Sequence, residues 1–200
     1  MTQAVELLQT QRLRVRNWQD GDRALFREIN ADPQVMEFFP HRRTADEADR
    51  LMDEANAAIA ATGYGIYALE RKDTADPIGF CALMPVNLPG IFPHEAVEIG
   101  WRLATRFWRQ GYASEAARAL LDHAFDVRRL DAVVSFAVAA NLRSIAVMER
   151  LGLVRIPALD FDHPRVPDTH PHLKRHLVFA VTRDAWHASR QTQQKTLPIP

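Results

Sequence analysis

Polar and apolar residues alternate at Arg12-Leu13-Arg14-Val15-Arg16, the period-two pattern of a strand with one buried face. From Asp20, a residue type that caps helices, the period changes. Leu25, Phe26 and Ile29 share a helical face until Asp32-Pro33 interrupts it, and a short turn ends at Phe38-Phe39-Pro40. Thr44 with Glu47 three residues on is a capping-box pattern. Ala48, Leu51, Met52, Ala55 and Ile59 then line a second helix, which Gly63 stops. Residues 66–70 and 78–83 read as strands joined by the polar turn RKDTAD. Pro85, Pro89, Gly90 and Pro93 make a loop of residues 85–94.

A strand over 96–103 comes next, then the turn Trp108-Arg109-Gln110-Gly111-Tyr112-Ala113, then a helix over 110–129. That helix places Ala116, Ala117, Leu120, Leu121, Ala124 and Phe125 on one face. Residues 131–139 are valine-rich with few charges, as in a strand covered on both sides. Asn141 caps a helix with the face Leu142, Ile145, Ala146 and Leu151, ended by Gly152. A short strand follows at 153–156. Residues 157–175 hold prolines and little periodicity, and 177–182 form a final strand. The pattern defines an α/β chain with a mixed sheet of about seven strands flanked by helices. It is read as one domain over residues 8–186, followed by a polar, disordered tail over 187–200. Strand 96–103, helix 110–129 and strand 131–139 make one right-handed crossover, so these two strands are expected to be parallel.

Composition narrows the class of function. Of 200 residues, 47% are hydrophobic and 25% charged, ordinary for a globular domain large enough to bury a core. Lys+Arg and Asp+Glu are equal at 25 each, which argues against a dedicated nucleic-acid binder. Cys81 is the single cysteine, so no internal disulfide forms, and its apolar surroundings suit a buried side chain. The stretch MTQAVELLQT lacks the pattern of a signal peptide, and no apolar run is long enough to span a bilayer. A reducing, cytoplasmic setting is the expectation.

The turn at 108–113 contains no proline, so its backbone N–H groups are all donors, and Gly111 and Ala113 let a bulky ligand approach them. Free N–H groups at a helix N-terminus favour a phosphate. Asn141 and Ser144 follow the carboxyl end of the neighbouring parallel strand, where ligands of open α/β sheets bind. The two stretches therefore converge on one crevice.

With this order of elements, the turn resembles the pyrophosphate loop Q/R-x-x-G-x-G/A of the GNAT superfamily of acyl-CoA N-acyltransferases. Gly111 and Ala113 match, and Trp108 occupies the first position. The tryptophan and the later Tyr-Ala-Ser-Glu-Ala are similar to the ribosomal-protein N-terminal acetyltransferases of that superfamily. Arg109 stands where they usually have glycine. The stretch from Asn141-Leu142-Arg143-Ser144 to Glu149-Arg150-Leu151-Gly152-Leu153 looks like the N-x-x-S…E-x-L-G-F helix. The resemblance implies a sheet splayed between two parallel strands and an acyl-CoA, most often acetyl-CoA, as acyl donor. Its pantetheine would pair with backbone at Trp101, Arg102 and Leu103. Its pyrophosphate would sit on the amides of Arg109, Gln110, Gly111, Tyr112, Ala113 and Ser114, beside Trp108, with Asn141 on the pantetheine arm. A bulge near Gly100 would splay the strands and aim an N–H at the thioester carbonyl.

The reaction so implied is attack by a neutral amine on a thioester. Deprotonating a lysine-type amine at pH 7 costs about 4.6 kcal/mol and an α-amine about 1.4 kcal/mol, so the need for a base depends on the acceptor. Candidate bases are Glu98, on the strand beside the thioester, and His163, in Asp160-Phe161-Asp162-His163. His163 is slightly preferred. The tyrosine that serves many relatives as acid is matched here by Met148, which leaves the Ser144 hydroxyl to meet the leaving sulfur. His163, His170, His172 and His176 fit no zinc spacing, and no metal is expected. With Asp162, Arg165 and Asp168 they are read as lining the acceptor pocket, with Phe38, Phe39 and Tyr64 as walls. The acceptor is a small amine or a protein N-terminus, and a homodimer is compatible. The second reading is a non-catalytic acyl-CoA sensor of the same fold. A nucleoside-triphosphate enzyme is excluded because no Gly-Lys-Ser/Thr follows the turn.

Overall fold

The computed structural model describes residues 5–195. In chain order the main elements are β1 (Glu6–Gln9), β2 (Leu13–Arg16), α1 (Arg23–Ala31), α2 (Ala45–Thr62), β3 (Gly65–Arg71), β4 (Pro77–Pro85), β5 (Val97–Leu103), α3 (Tyr112–Asp122), β6 (Ala132–Val138), α4 (Leu142–Arg150), β7 (Val154–Arg155), β8 (Phe161–Asp162), β9 (Arg175–Thr182) and α5 (Arg183–Lys195). They build one nine-stranded sheet in the order β1-β2-β3-β4-β5-β6-β9-β7, with β8 also paired to β9. Every pairing is antiparallel except β5 with β6.

Local chemistry sets the ends of α2. Thr44 Oγ1 accepts the Glu47 N–H at 3.3 Å, and a Glu47 carboxylate oxygen accepts the Thr44 N–H at 2.8 Å. Gly63 ends the helix at φ +68°, a left-handed conformation that suits glycine. Strands β1 and β8 escaped the periodicity because each is short and takes its order from a neighbour. The helix expected to run to residue 129 is α-helical only to Asp122 and continues as a π turn over His123–Val127.

The sheet carries a core on each face. Behind it, Leu120, Leu121 and Phe125 pack with Met148, Leu151 and Trp186. In front, Leu25, Phe26 and Ile29 of α1 and Ala48, Met52 and Ala55 of α2 cover Ala68, Phe80 and Ala82. Trp186 corrects the expectation of a disordered tail from residue 187. α5 runs to Lys195, because this tryptophan is 1% exposed and donates its indole N–H to Asp122 Oδ1 at 2.8 Å. Residues 196–200 of that expected tail lie outside the described residues. Cys81 is buried in the rear core, and desolvation pushes its thiol pKa up.

Candidate active site

The sheet opens where its two parallel strands part. β5 and β6 share one register pair, Glu98 with Val134. Beyond it β5 follows β4 without interruption, from Gly100 opposite Ala82 to Leu103 opposite Gly79. The bulge expected near Gly100 is therefore absent from this ladder. Gly79 explains why β5 stays with β4. The backbones approach so closely that a Cβ at Gly79 would lie 2.3 Å from the Arg102 carbonyl oxygen. From Trp101 onward the backbone groups of β5 that point away from β4 have no strand partner among the described residues.

The open edge leads to the turn before α3. Trp108 donates its indole N–H to the Leu103 carbonyl at 2.8 Å, which folds the turn back on the strand. Arg109 and Gly111 both adopt left-handed backbone conformations, φ +59° and +82°. No side chain caps α3, and the N–H groups of 109–114 have no acceptor among the described residues. Such a concave run of free donors at a helix N-terminus is an anion cradle. Arg12, which the periodicity marked only as a strand residue, braces it from outside. Its side chain donates to the Gln110 carbonyl at 3.0 Å and to Glu115 at 2.6 Å, and lies 4.4 Å from the centre of the Tyr112 ring.

Across the opening, Asn141 Oδ1 accepts the Ser144 N–H at 3.2 Å and caps α4. The Ser144 side chain is half-buried on the first turn. Met148 is fully buried in the rear core, so this helix presents no phenol at that place. Arg143 pairs with Glu37 and stands over the Trp108 ring at 4.8 Å. Glu37, Thr105, Trp108, Arg109 and Arg143 surround a cavity of about 640 Å³. This Glu37–Arg143 link between the α1–α2 loop and α4 carries no periodic signal in the sequence.

Strand alternation sends Val97, Ile99 and Leu103 into the rear core and turns Glu98, Gly100 and Arg102 to the front. Glu98 is still touched by solvent, yet protein surrounds it on most sides. That desolvation raises its pKa to about 7, only partly opposed by Arg165. Phe136 of β6 faces the same side, within an aromatic group that includes Phe161, His163 and His176. The His163 and His176 rings are 4.9 Å apart. Burial, then His176 and Arg165, lower the His163 pKa to about 4. His163 is therefore neutral at pH 7, with Nδ1 accepting the Arg165 N–H at 3.2 Å.

The remaining expected pocket residues differ in their surroundings. Asp168 is exposed and paired with Lys174, and Asp162 is exposed near Arg175. His170 and His172 lie close to each other, 6.1 Å between ring centres. Tyr64 packs against the rear core under Arg128 rather than walling the front. Phe39 does reach the front face, where the Arg102 guanidinium lies 4.3 Å from its ring centre. Among the described residues no group of three His, Cys, Asp or Glu side chains gathers as a metal site. No described helix is long and apolar enough to cross a membrane.

Free main-chain donors at a helix N-terminus, a strand side without a partner, and a carboxylate of raised pKa thus lie around one opening of the sheet. The chain belongs to the GNAT acetyltransferases: residues 12–154 match the family model described as acetyltransferase (GNAT) domain. It is 31% identical over 147 residues to the uncharacterized protein YkkB of Bacillus subtilis, covering 73% of this chain and 84% of that one. It is 29% identical over 166 residues to the FsC-acetyl coenzyme A-N(2)-transacetylase of Aspergillus fumigatus, covering 80% and 68%. A GNAT-family acetyltransferase structure from Bacillus anthracis shares the fold with a TM-score of 0.75 at 21% identity, covering 88% of this chain and 98% of that one. The protein is an acetyltransferase, and acetyl-CoA is the acyl donor that its family uses.

Proposed function

We propose that this chain transfers the acetyl group of acetyl-CoA to a primary amine by direct attack on the thioester, with Glu98 as general base. One observation carries the reading: past Glu98 the side of β5 that faces away from β4 has no strand partner, and it leads to the turn whose amides at 109–114 are free among the described residues. The cradle amides would hold the pyrophosphate, with Asn141 on the pantetheine arm. The edge at Trp101 and Leu103 would pair with that arm, although the Leu103 carbonyl already accepts from Trp108.

In the proposed step the amine nitrogen bonds to the thioester carbon. Glu98 takes the amine proton, and the carbon–sulfur bond breaks to release a thiolate. Ser144, the hydroxyl nearest in sequence to the capping Asn141, is the proposed donor to that sulfur. The leaving thiolate is stable enough that protonating it is worth only about 2 kcal/mol near pH 7, so a serine hydrogen bond suffices. The raised pKa reverses the preference between the two bases. A base is most effective when its pKa lies near the working pH, which suits Glu98 at about 7 and not His163 at about 4. His163 with Phe136 instead supplies a neutral wall for the acceptor.

The acceptor reading is a small amine or an exposed protein N-terminus, and a cytoplasmic setting and a homodimer belong to the same proposal. Incubating the protein with acetyl-CoA and an amine panel, and reading free thiol, tests transfer. Thiol release with at least one amine is expected. Coenzyme A that raises the melting temperature without any release would instead select the sensor reading.

A further inference from the structure

The Arg102 side chain is a feature of the front face that acetyl transfer does not use, and its backbone, expected on the pantetheine, is turned instead to Phe80 of β4. Its side chain leaves β5 on the same face as Glu98, four residues along, roughly 13 Å between Cα atoms at strand spacing. Gly100 lies between them, and a Cβ there would meet only Glu98 Oε1, at 3.6 Å, so the floor of this strip is open. The Arg102 guanidinium donates to Asn30 Oδ1 at 2.7 Å and lies 4.3 Å from the Phe39 ring centre and 5.2 Å from that of Phe80. Arg43 donates to the same Asn30 oxygen at 3.3 Å. Among the described residues neither arginine forms an ion pair with a carboxylate, whereas Glu37 and Glu28 nearby are engaged by Arg143 and Arg106.

Two guanidiniums thus converge on one neutral oxygen. Burial of Arg102, with Arg43 beside it, lowers its pKa to about 9, which still leaves it charged at pH 7. A cation confined by protein without a counter-charge is costly unless an anion completes it. Two aromatic rings and an asparagine hold the planar fork in place, the arrangement that suits bidentate recognition of a carboxylate or phosphate.

We propose that Arg102, with Arg43, is the specificity site of the acceptor and takes an anionic group, a carboxylate or a phosphate, carried by the same molecule whose amine lies at Glu98. The inference rests on the transfer reading above and adds the acceptor's class: an amine with an anion about the length of an extended di- or tripeptide away. Asn30 is a positioning residue that aims both guanidiniums.

Trialanine and its C-terminal amide form one matched pair of probes, and an aminoalkyl phosphate and its amino alcohol form another. Their binding to the protein saturated with coenzyme A is measured by calorimetry, and their turnover with acetyl-CoA by thiol release. At least one anionic member is expected to bind ten-fold or more tighter than its neutral partner, and the pair that discriminates identifies carboxylate or phosphate. Arg102→Gln is expected to bring that ratio close to one while coenzyme A affinity is retained, and Arg102→Lys to restore part of it. Arg43→Gln is expected to lower the ratio without abolishing it. Equal binding of acid and neutral partner, no binding by either anion, or a ratio that survives in Arg102→Gln overturns the proposal. Loss of coenzyme A binding in Arg102→Gln in step with the ratio overturns it too, since the arginine would then serve the donor site or the fold. Absence of thiol release with preferential anion binding intact counts against transfer and not against the anion site.

Discussion

Glu98 and Val134 are the one point at which the two parallel strands meet in register. The base candidate therefore sits at the apex of the opening, where β5 is held on both sides. Past it the strand keeps β4 on one flank and offers the other to a ligand. Loss of proton uptake at this apex is expected to be felt in catalysis before it is felt in the fold.

Glu98→Gln is expected to slow turnover by about 100-fold or more, the usual weight of a general base. The wild-type kcat/KM is expected to rise with pH through about 7, the pKa that desolvation imposes on Glu98, and the variant to lose that limb. Stability moves the other way. A carboxyl whose folded pKa lies above its unfolded value adds stability below the unfolded pKa and loses it as pH rises toward 7. Glu98→Gln is thus expected to melt higher than wild type at pH 8 and about level with it at pH 4. A pH–rate profile and paired melting curves check both signs.

His163→Ala is expected to leave the neutral limb of the profile in place, since the wild-type imidazole is already uncharged above about pH 4. The change removes a ring packed against Phe136 and His176, so a higher acceptor KM is the expected consequence. A limb near pH 7 that vanished in this variant would restore His163 as base.

Gly111 holds φ +82° at the head of α3, with Arg12 Nη2 only 3.4 Å from where a Cβ would stand. Gly111→Val is expected to strain the cradle by about 1–2 kcal/mol, the cost of a left-handed conformation for an L-residue. Coenzyme A affinity is expected to fall roughly ten-fold, at 1.4 kcal/mol per decade. Calorimetric titration reads it directly, and unchanged affinity would remove the cradle from the donor site.

Trp186→Ala is expected to destabilise the fold by about 3–5 kcal/mol, the range for deleting a buried aromatic. The side chain fills the rear core beside Phe125 and leaves Asp122 without its indole donor when removed. Denaturant unfolding checks the magnitude, and coenzyme A binding by the folded fraction is expected to persist.

Much of this molecule was legible from local pattern alone. The Thr44–Glu47 box and Gly63 bounded α2, the glycine turn at 108–113 announced the start of α3, and Asn141 marked the start of α4, because caps and turns are settled by neighbours a few residues apart. The resemblance of the turn and the α4 motif was then enough to foresee the family. Contacts between distant segments were beyond such a reading. Residues 187–195 looked like a polar tail because nothing nearby says that Trp186, just before them, meets Asp122 and Phe125 and seats a helix. Glu98 and His163 could be named as titrating groups but not ranked, since desolvation by surrounding elements sets their proton affinities. The chain order by itself determined which strands are parallel and where backbone donors stay free. Only folding decided that Arg102, which alternation places on the face of Glu98 and Gly100, lies against Asn30 and Phe39, because residues far apart in sequence meet there, and that burial shifts the proton affinities of Glu98 and Arg102.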